Sequence, residues 1–181
     1  MTYGLSHWLP YHGLGSVAAA TYAFRSGLGF TQSYVPALDT PHPPAYWDEW
    51  RHAIRQLTAE QLHDRPSSSF RHVFTSDFYA LSPYADGASK ATSLAYQFHD
   101  PEQGVGAVLV YRREEVATEN ITTWPLRGLA PNDTYRFTTW DGPGGAAPRL
   151  LEASGYDLLT ANFECVVPSL PGAAVFMYVA I

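Results

Sequence analysis

Two histidines and a tryptophan near the N-terminus are the first residues whose types suggest chemistry. His7 and Trp8 precede a Pro–Tyr step, and His12 follows it. A metal site would need a third ligand, and the spacing of the histidines fits neither a helix nor a strand register. Alternatively, the histidines hydrogen-bond to a sugar hydroxyl while the Trp8 ring stacks on the sugar. The third interpretation is that both histidines are structural residues of a loop.

The acidic residues do not form a recognisable catalytic pair. Cleavage of a glycosidic bond normally requires two carboxylates that flank one site, and in a barrel these come from the C-terminal ends of different strands. Asp39 follows an apolar stretch and is expected near a strand end, where a lone Asp is usually a cap or turn residue. Other acidic residues fall on a predicted helix, in turns or in a polar connection: Asp48, Glu49, Asp100, Glu102, Glu114, Glu115, Glu119 and Asp141. The sequence also lacks the nucleophile-elbow, dinucleotide and phosphate-loop motifs.

The composition excludes several classes of protein. The chain has 181 residues, of which 46% are hydrophobic and 15% charged, with five Trp, twelve Tyr and nine Phe. Such aromatic content is typical of a large core, and also of proteins that stack rings on sugars. A net charge of −6 without a basic run predicts no nucleic-acid partner. No apolar run reaches the roughly 18 residues of a membrane span, which predicts no membrane partner.

We expect no cofactor and no metal. The single cysteine, Cys165, has no partner for an internal disulfide and matches no metal-ligand spacing. Its neighbours predict a strand that holds a buried thiol. The N-terminus shows neither the positively charged region nor the apolar segment of a signal peptide. The expected location is therefore a reducing cytoplasm.

The chain changes character near residue 70. Before that point, a rigid connector at 40–44 precedes four apolar residues whose spacing predicts a helix with one apolar face: Trp47, Trp50, Ile54 and Leu57. Asp48 and Glu49 are expected in its first turn, where the helix dipole favours acidic residues. Thr58 and Gln61 are expected to form a capping box that restarts the helix.

Short β-rich runs separated by turn signals fill the second part of the chain. Strands are predicted over 78–81, 94–98, 107–111, 120–126, 135–139, 163–167 and 174–179. The turn at 100–104 joins two of these runs into an antiparallel pair, and Pro125 places another at a sheet edge. A Gly/Pro loop is predicted over 141–148. Strands this short and closely spaced predict a sandwich of antiparallel sheets.

Several runs, taken in order, resemble the C-terminal portion of glycoside hydrolase family 36, the α-galactosidase-like enzymes of the melibiase group. Residues 8–13 (WLPYHG) and 22–29 (YAFRSGLG) are similar to segments near the last strands and helices of the family's catalytic barrel. Residues 77–84 (DFYALSPY) resemble the hinge from the final barrel helix into the β domain. The remaining runs are similar to strands and turns of that domain: 95–98 (AYQF), 104–106 (GVG), 110–113 (VYRR), 126–129 (LRGL), 131–135 (PNDTY) and 171–176 (PGAAVF).

The resemblance implies a mainly β fold: a C-terminal antiparallel β-sandwich preceded by a short α/β segment like the end of a (β/α)8 barrel. Residues 1–70 would be the barrel remnant and residues 71–181 the β domain. Because a barrel closes only when all its strands pair, the remnant would pack against the β domain, bind a partner or be poorly ordered. The β domain is long enough to fold alone.

The resemblance also implies a function that this chain does not complete. Members are retaining hydrolases with an Asp nucleophile and an Asp acid/base, and both lie upstream of the matched part. Trp8, His12 and Arg25 match segments near the active-site mouth, and the resemblance therefore implies sugar contacts for them. The expected partners are a carbohydrate substrate in the parent enzyme and either the missing barrel portion or an oligomer partner. The alternatives are a stand-alone carbohydrate-binding module, motivated by the aromatic residues, and a structural or assembly domain.

Overall fold

The structure is a computed structural model that describes residues 13–16, 19–28, 31–34, 41–62, 70–83, 90–140 and 149–181. The helices are α1 (Thr21–Ser26), α2 (Pro44–Leu62) and α3 (Gly155–Thr160), with a 3₁₀ turn over Phe70–Thr75. The strands are β1 (Gly13–Ser16), β2 (Thr31–Tyr34), β3 (Asp77–Ala80), β4 (Leu94–Asp100), β5 (Val105–Arg112), β6 (Asn120–Thr122), β7 (Thr134–Trp140), β8 (Arg149–Ser154), β9 (Glu164–Val166) and β10 (Gly172–Ala180).

A six-stranded antiparallel sheet forms the centre of the molecule. Its strand order is β3-β4-β5-β10-β7-β8, so the last strand of the chain lies between β5 and β7. Both β5 and β10 are nearly continuous apolar runs, as expected of strands that are covered on both faces. The hairpin β4–β5 turns at Gly104, whose φ of 63° favours glycine. The antiparallel pair predicted for these two strands is confirmed, with Leu94 opposite Tyr111.

Each face of the sheet carries its own hydrophobic cluster because successive side chains of a strand point to opposite faces. On the first face, Tyr96 and Phe98 pack beneath α1, α2 and the 3₁₀ turn. On the second face, Phe137 and Phe176 pack beneath the two-stranded sheet β6–β9 and the connections around it. The sheet is therefore enclosed between a helical layer and a small β layer.

The N-terminal part forms a parallel β-α-β unit. β1 pairs with β2 in parallel, with Gly13 opposite Thr31, and α1 lies between them in the chain. Phe24 of α1 and Trp50 of α2 are 1% and 3% exposed, with ring centroids 5.6 Å apart, in the first-face cluster. The sequence predicted that this segment would pack against the β domain, bind a partner or be poorly ordered. The helices α1 and α2 pack against the β sheet.

The predicted fold class, mainly β with an antiparallel C-terminal β domain, is confirmed. Three details of the sequence interpretation are wrong. α2 runs without interruption to Leu62, so Thr58 and Gln61 do not restart it. It begins at Pro44, which leaves Asp48 and Glu49 beyond its first turn. The strand expected over 120–126 ends at Thr122.

Elements that were not predicted include β8 and the short helix α3 that follows it. Ser154 caps α3, since its hydroxyl accepts a hydrogen bond from the Asp157 backbone N–H at 3.1 Å. Among the described residues, no helix is both long enough and apolar enough to cross a membrane.

Candidate functional site

Arg25 is the one predicted sugar-contacting residue that lies within the described ranges, and it is buried. Arg25 is 2% exposed, although α1 is a short helix in which most other residues are only partly buried. Nη1 donates a hydrogen bond of 2.6 Å to the carbonyl oxygen of Ala173 in β10. β7 pairs with β10 only from Val175 onward, so Ala173 lies beyond that pairing. Arg25 thus ties α1 to the sheet.

Two tyrosines extend this contact across the sheet. The Tyr111 hydroxyl donates to the carbonyl oxygen of Arg25 at 2.8 Å. Because the Tyr111 hydroxyl has only one proton and uses it in this bond, the Tyr96 hydroxyl is the donor to the Tyr111 oxygen, at 2.9 Å. Burial raises the pKa of Tyr96 to about 12 and that of Tyr111 well above its usual value. Both phenols remain neutral at physiological pH and serve as hydrogen-bonding groups.

The arrangement around Arg25 holds the helices on the sheet, and no described geometry brings it to a sugar. A contact between Arg25 and sugar stays a prediction. Trp8 and His12 lie outside the described residues, as does His7, so their predicted roles also stay predictions. Asp39 and Asp141 lie outside them as well.

A second buried polar network lies on the opposite face of the sheet. Gln97, fully buried, donates from Nε2 to the carbonyl of Arg127 and to the Tyr178 hydroxyl, each at 2.8 Å. Its Oε1 accepts the Arg127 backbone N–H, also at 2.8 Å. The Tyr178 hydroxyl in turn lies 3.1 Å from Nδ1 of His99. This network fixes the loop that follows β6 onto the sheet.

His99 is held as a neutral imidazole by this environment. Desolvation by burial lowers its pKa from the ordinary value of 6.5, against weaker opposing effects of the Gly128 backbone and Asp100. Gly128 has a φ of 73°, and a Cβ there would lie 2.8 Å from the Tyr79 hydroxyl and 3.1 Å from the His99 ring. A glycine at this position therefore meets both the backbone and the space requirements of the loop.

A partly exposed contact between His72 and Asp100 joins the 3₁₀ turn to the β4–β5 hairpin. His72 Nε2 lies 2.9 Å from Oδ2 of Asp100 and 2.8 Å from Nε2 of Gln103. Desolvation raises the pKa of Asp100, but the backbone N–H groups of Gln103 and Glu102 and the His72 side chain outweigh it and lower the pKa overall. The contact stabilises the junction between the helical part and the sheet.

Several of the described carboxylates lie beside cationic side chains. Asp48 pairs with Arg51 and Glu114 with Lys90, both between exposed side chains. Glu119 lies 4.0 Å from Arg112. None of these contacts sets two carboxylates beside an open cleft. Cys165 in β9 is partly buried, and its strand is as predicted. Over the described ranges, no group of three or more His, Cys, Asp or Glu side chains could hold a metal ion.

Sequence reasoning missed the buried polar residues that organise the sheet. Arg112, 5% exposed, donates to the carbonyls of Val116, Ala117, Val167 and Pro168 at 2.8–3.2 Å. Its position at the end of the apolar run of β5 was the available signal. A charged residue at the end of a buried strand needs hydrogen-bond acceptors nearby, because burying an unpaired charge costs folding free energy.

Solved structures of α-galactosidases share this fold. GH36 α-galactosidase AgaA from Geobacillus stearothermophilus superimposes with a TM-score of 0.52 at 14% identity, over 89% of this chain and 19% of that chain. A variant of AgaA in complex with stachyose gives a TM-score of 0.53 at 15% identity over the same shares. The galactosidase domain of the α-galactosidase–sucrose kinase AgaSK gives 0.50 at 18% identity, again over 89% and 19%.

The matched region corresponds mainly to the C-terminal part of these enzymes, so the predicted resemblance to family 36 is confirmed at the level of the fold. This chain spans about a fifth of their length. No family model matches the sequence, and no curated protein matches it.

Proposed function

We propose that this chain is the C-terminal part of a retaining, α-galactosidase-like glycoside hydrolase of family 36, and that it is not catalytic on its own. The observation that carries the proposal is the match over 89% of this chain to only 19% of AgaA. In such an enzyme, residues 1–70 supply the end of the catalytic barrel and residues 71–181 supply the β domain. The expected cellular location is the cytoplasm.

The N-terminal β-α-β unit supports the barrel assignment. Its two strands are parallel, and parallel pairs occur almost only within larger sheets whose faces are covered by helices. Two strands cannot close a barrel, and their remaining edges would pair with further strands. We infer that the partner of this unit is the rest of the barrel, and that the substrate is a carbohydrate bound by the complete enzyme.

The described carboxylates support a non-catalytic role for the isolated chain. A retaining glycosidase places its two carboxyl groups about 5–5.5 Å apart on either side of the scissile bond. Here Asp48, Glu114 and Glu152 each pair with a neighbouring cation at the surface. The nucleophile and the acid/base would come from upstream strands.

Sugar contacts in the complete enzyme are the proposed roles of Trp8, His12 and Arg25. In the geometry described, Arg25 would also have a positioning role, since its guanidinium donates to the Ala173 carbonyl and its own carbonyl accepts from Tyr111. By holding α1 on the sheet, it would position the adjacent loops of the barrel mouth.

Turnover of an aryl α-galactoside tests the proposal. The purified 181-residue chain should release no aryl alcohol above the rate without protein, while an active family 36 enzyme serves as the positive control. Saturable turnover by the chain would contradict the non-catalytic role. In a second arm, raffinose and stachyose, ligands in structures of AgaA, are titrated calorimetrically. Because the barrel is incomplete, no heat of binding is expected, and saturable heat would favour a stand-alone sugar-binding module.

A further inference from the structure

β8 forms one edge of the six-stranded sheet, and no strand in the described part of the chain pairs with its outer side. Leu150 is 63% exposed and Leu151 is 50% exposed, and Tyr156, in the helix α3 that follows the strand, is 63% exposed. Adjacent strand residues point to opposite faces, so an apolar side chain is open on each face of this edge. Natural edge strands usually carry charged side chains, Pro or a bulge that prevents pairing with another chain, and the two charged residues of β8 have opposite signs.

The charges of β8 favour a second copy of the chain as the partner. The whole chain carries a net charge of −6, yet the strand holds one Arg and one Glu and is neutral. Glu152 is also paired with Arg136 of β7 at 2.9 Å. Two copies can therefore approach at this edge with less repulsion than the net charge of the chain would produce elsewhere.

Symmetry restricts how two copies of β8 can pair. In an isologous contact, a two-fold axis perpendicular to the sheet places one residue opposite its own counterpart. With the axis at Leu151, five of the six strand residues pair within the strand. An axis at Leu150 keeps only residues 149–151 in register. An axis at Glu152 sets two carboxylates directly opposite each other, which is unfavourable.

We propose that β8 is a self-association surface, through which two copies of this chain join by antiparallel pairing centred on Leu151. The backbone groups of the edge then find partners, and each sheet continues into that of the other copy. Leu151 meets its counterpart on one face, while Leu150 lies opposite Glu152 of the second copy on the other. This surface is independent of the proposed enzymatic origin.

Sedimentation equilibrium of the full chain over a wide concentration range tests the proposal. The unaltered chain should pass from monomer to dimer as its concentration rises. Leu151→Lys sets two ammonium groups face to face and Leu151→Glu two carboxylates, so each should weaken the dimer about tenfold or more. An equimolar mixture of the two variants should recover dimer, because Lys then faces Glu.

Leu170→Lys provides a matched control, since Leu170 is also 50% exposed but lies in the connection before β10. It should associate like the unaltered chain. Thermal unfolding followed by circular dichroism establishes that each variant is folded. The proposal is overturned if the unaltered chain stays monomeric at every concentration, if the mixture associates no better than either variant, or if Leu170→Lys weakens association as much as Leu151→Lys.

Discussion

Replacing Arg25 by Met tests how the helical layer is attached to the sheet. The substitution keeps an unbranched apolar stem in a buried site and removes the guanidinium, which is 2.6 Å from the carbonyl oxygen of Ala173. Ala173 is itself only 7% exposed. Its carbonyl would lose this donor without gaining free access to water.

The expected cost is about 2–3 kcal/mol of unfolding free energy. A hydrogen bond to a charged group contributes roughly 1.5–3 kcal/mol, and a buried acceptor left unsatisfied costs roughly 1–3 kcal/mol. These two figures describe the same loss from two sides, so they are not added. Retention of the aliphatic stem limits any further loss from packing.

Urea unfolding followed by circular dichroism measures this change, with Arg55→Met as the control. Arg55 is exposed on α2, and its replacement should stay within about 0.5 kcal/mol of the unaltered chain. Tyr111→Phe should also destabilise, because it removes the donor to the Arg25 carbonyl. The two changes should be non-additive, since both remove hydrogen bonds that attach Arg25 to the sheet. Equal stability of Arg25→Met and Arg55→Met would refute the attachment role.

Two further outcomes follow from the second face of the sheet. Because the pKa of His99 is lowered in the folded state, its stabilising contribution is present above the ordinary value of 6.5 and declines as the pH falls below it. Unfolding free energy should therefore decrease between pH 7 and 5, and His99→Asn should flatten this decrease; an unchanged slope would contradict the assignment. Gly128→Ala should cost about 1–3 kcal/mol because it combines a positive φ with a Cβ placed 2.8 Å from the Tyr79 hydroxyl. Gly104→Ala, where the close neighbour is instead the Ala180 side chain, provides the comparison in the same urea assay. An unchanged unfolding free energy for Gly128→Ala would refute the requirement for glycine at this position.

Local patterns were sufficient to predict the main strands and the long helix. Leu94, Tyr96 and Phe98 recur every second residue, and they do share the first face of the sheet. Trp50 marks the buried side of α2, as its spacing indicated. In both cases the periodicity of burial is set by the element itself, so a short window of sequence carries the signal.

β8 was not predicted because its residue types do not favour a strand by themselves. Its Leu, Glu, Ala and Ser residues are not β-branched, and Leu, Glu and Ala are good helix formers. Pairing with β7 decides the outcome, with Leu151 opposite Phe137. At Thr58 and Gln61 the local pattern was misleading, because a capping-box pattern can also occur inside a continuous helix.

The burial of Arg25 could not have been predicted from its neighbours. Its acceptor, Ala173, is 148 residues away in the chain. The hydrogen bond from Gln97 to Tyr178 joins residues 81 positions apart, so local sequence patterns could not predict it either. The resemblance implied a sugar contact for Arg25, which stays a prediction, and in the folded chain this residue connects helix and sheet.

The size and activity of the native polypeptide test the proposed origin most directly. An antibody raised against residues 71–181 should detect, in extracts of the source cells, a protein several times larger than the 20.0 kDa of this chain. The immunoprecipitated protein should hydrolyse an aryl α-galactoside. Detection of a 20.0 kDa polypeptide alone, with no α-galactosidase activity in the precipitate, would contradict the proposal.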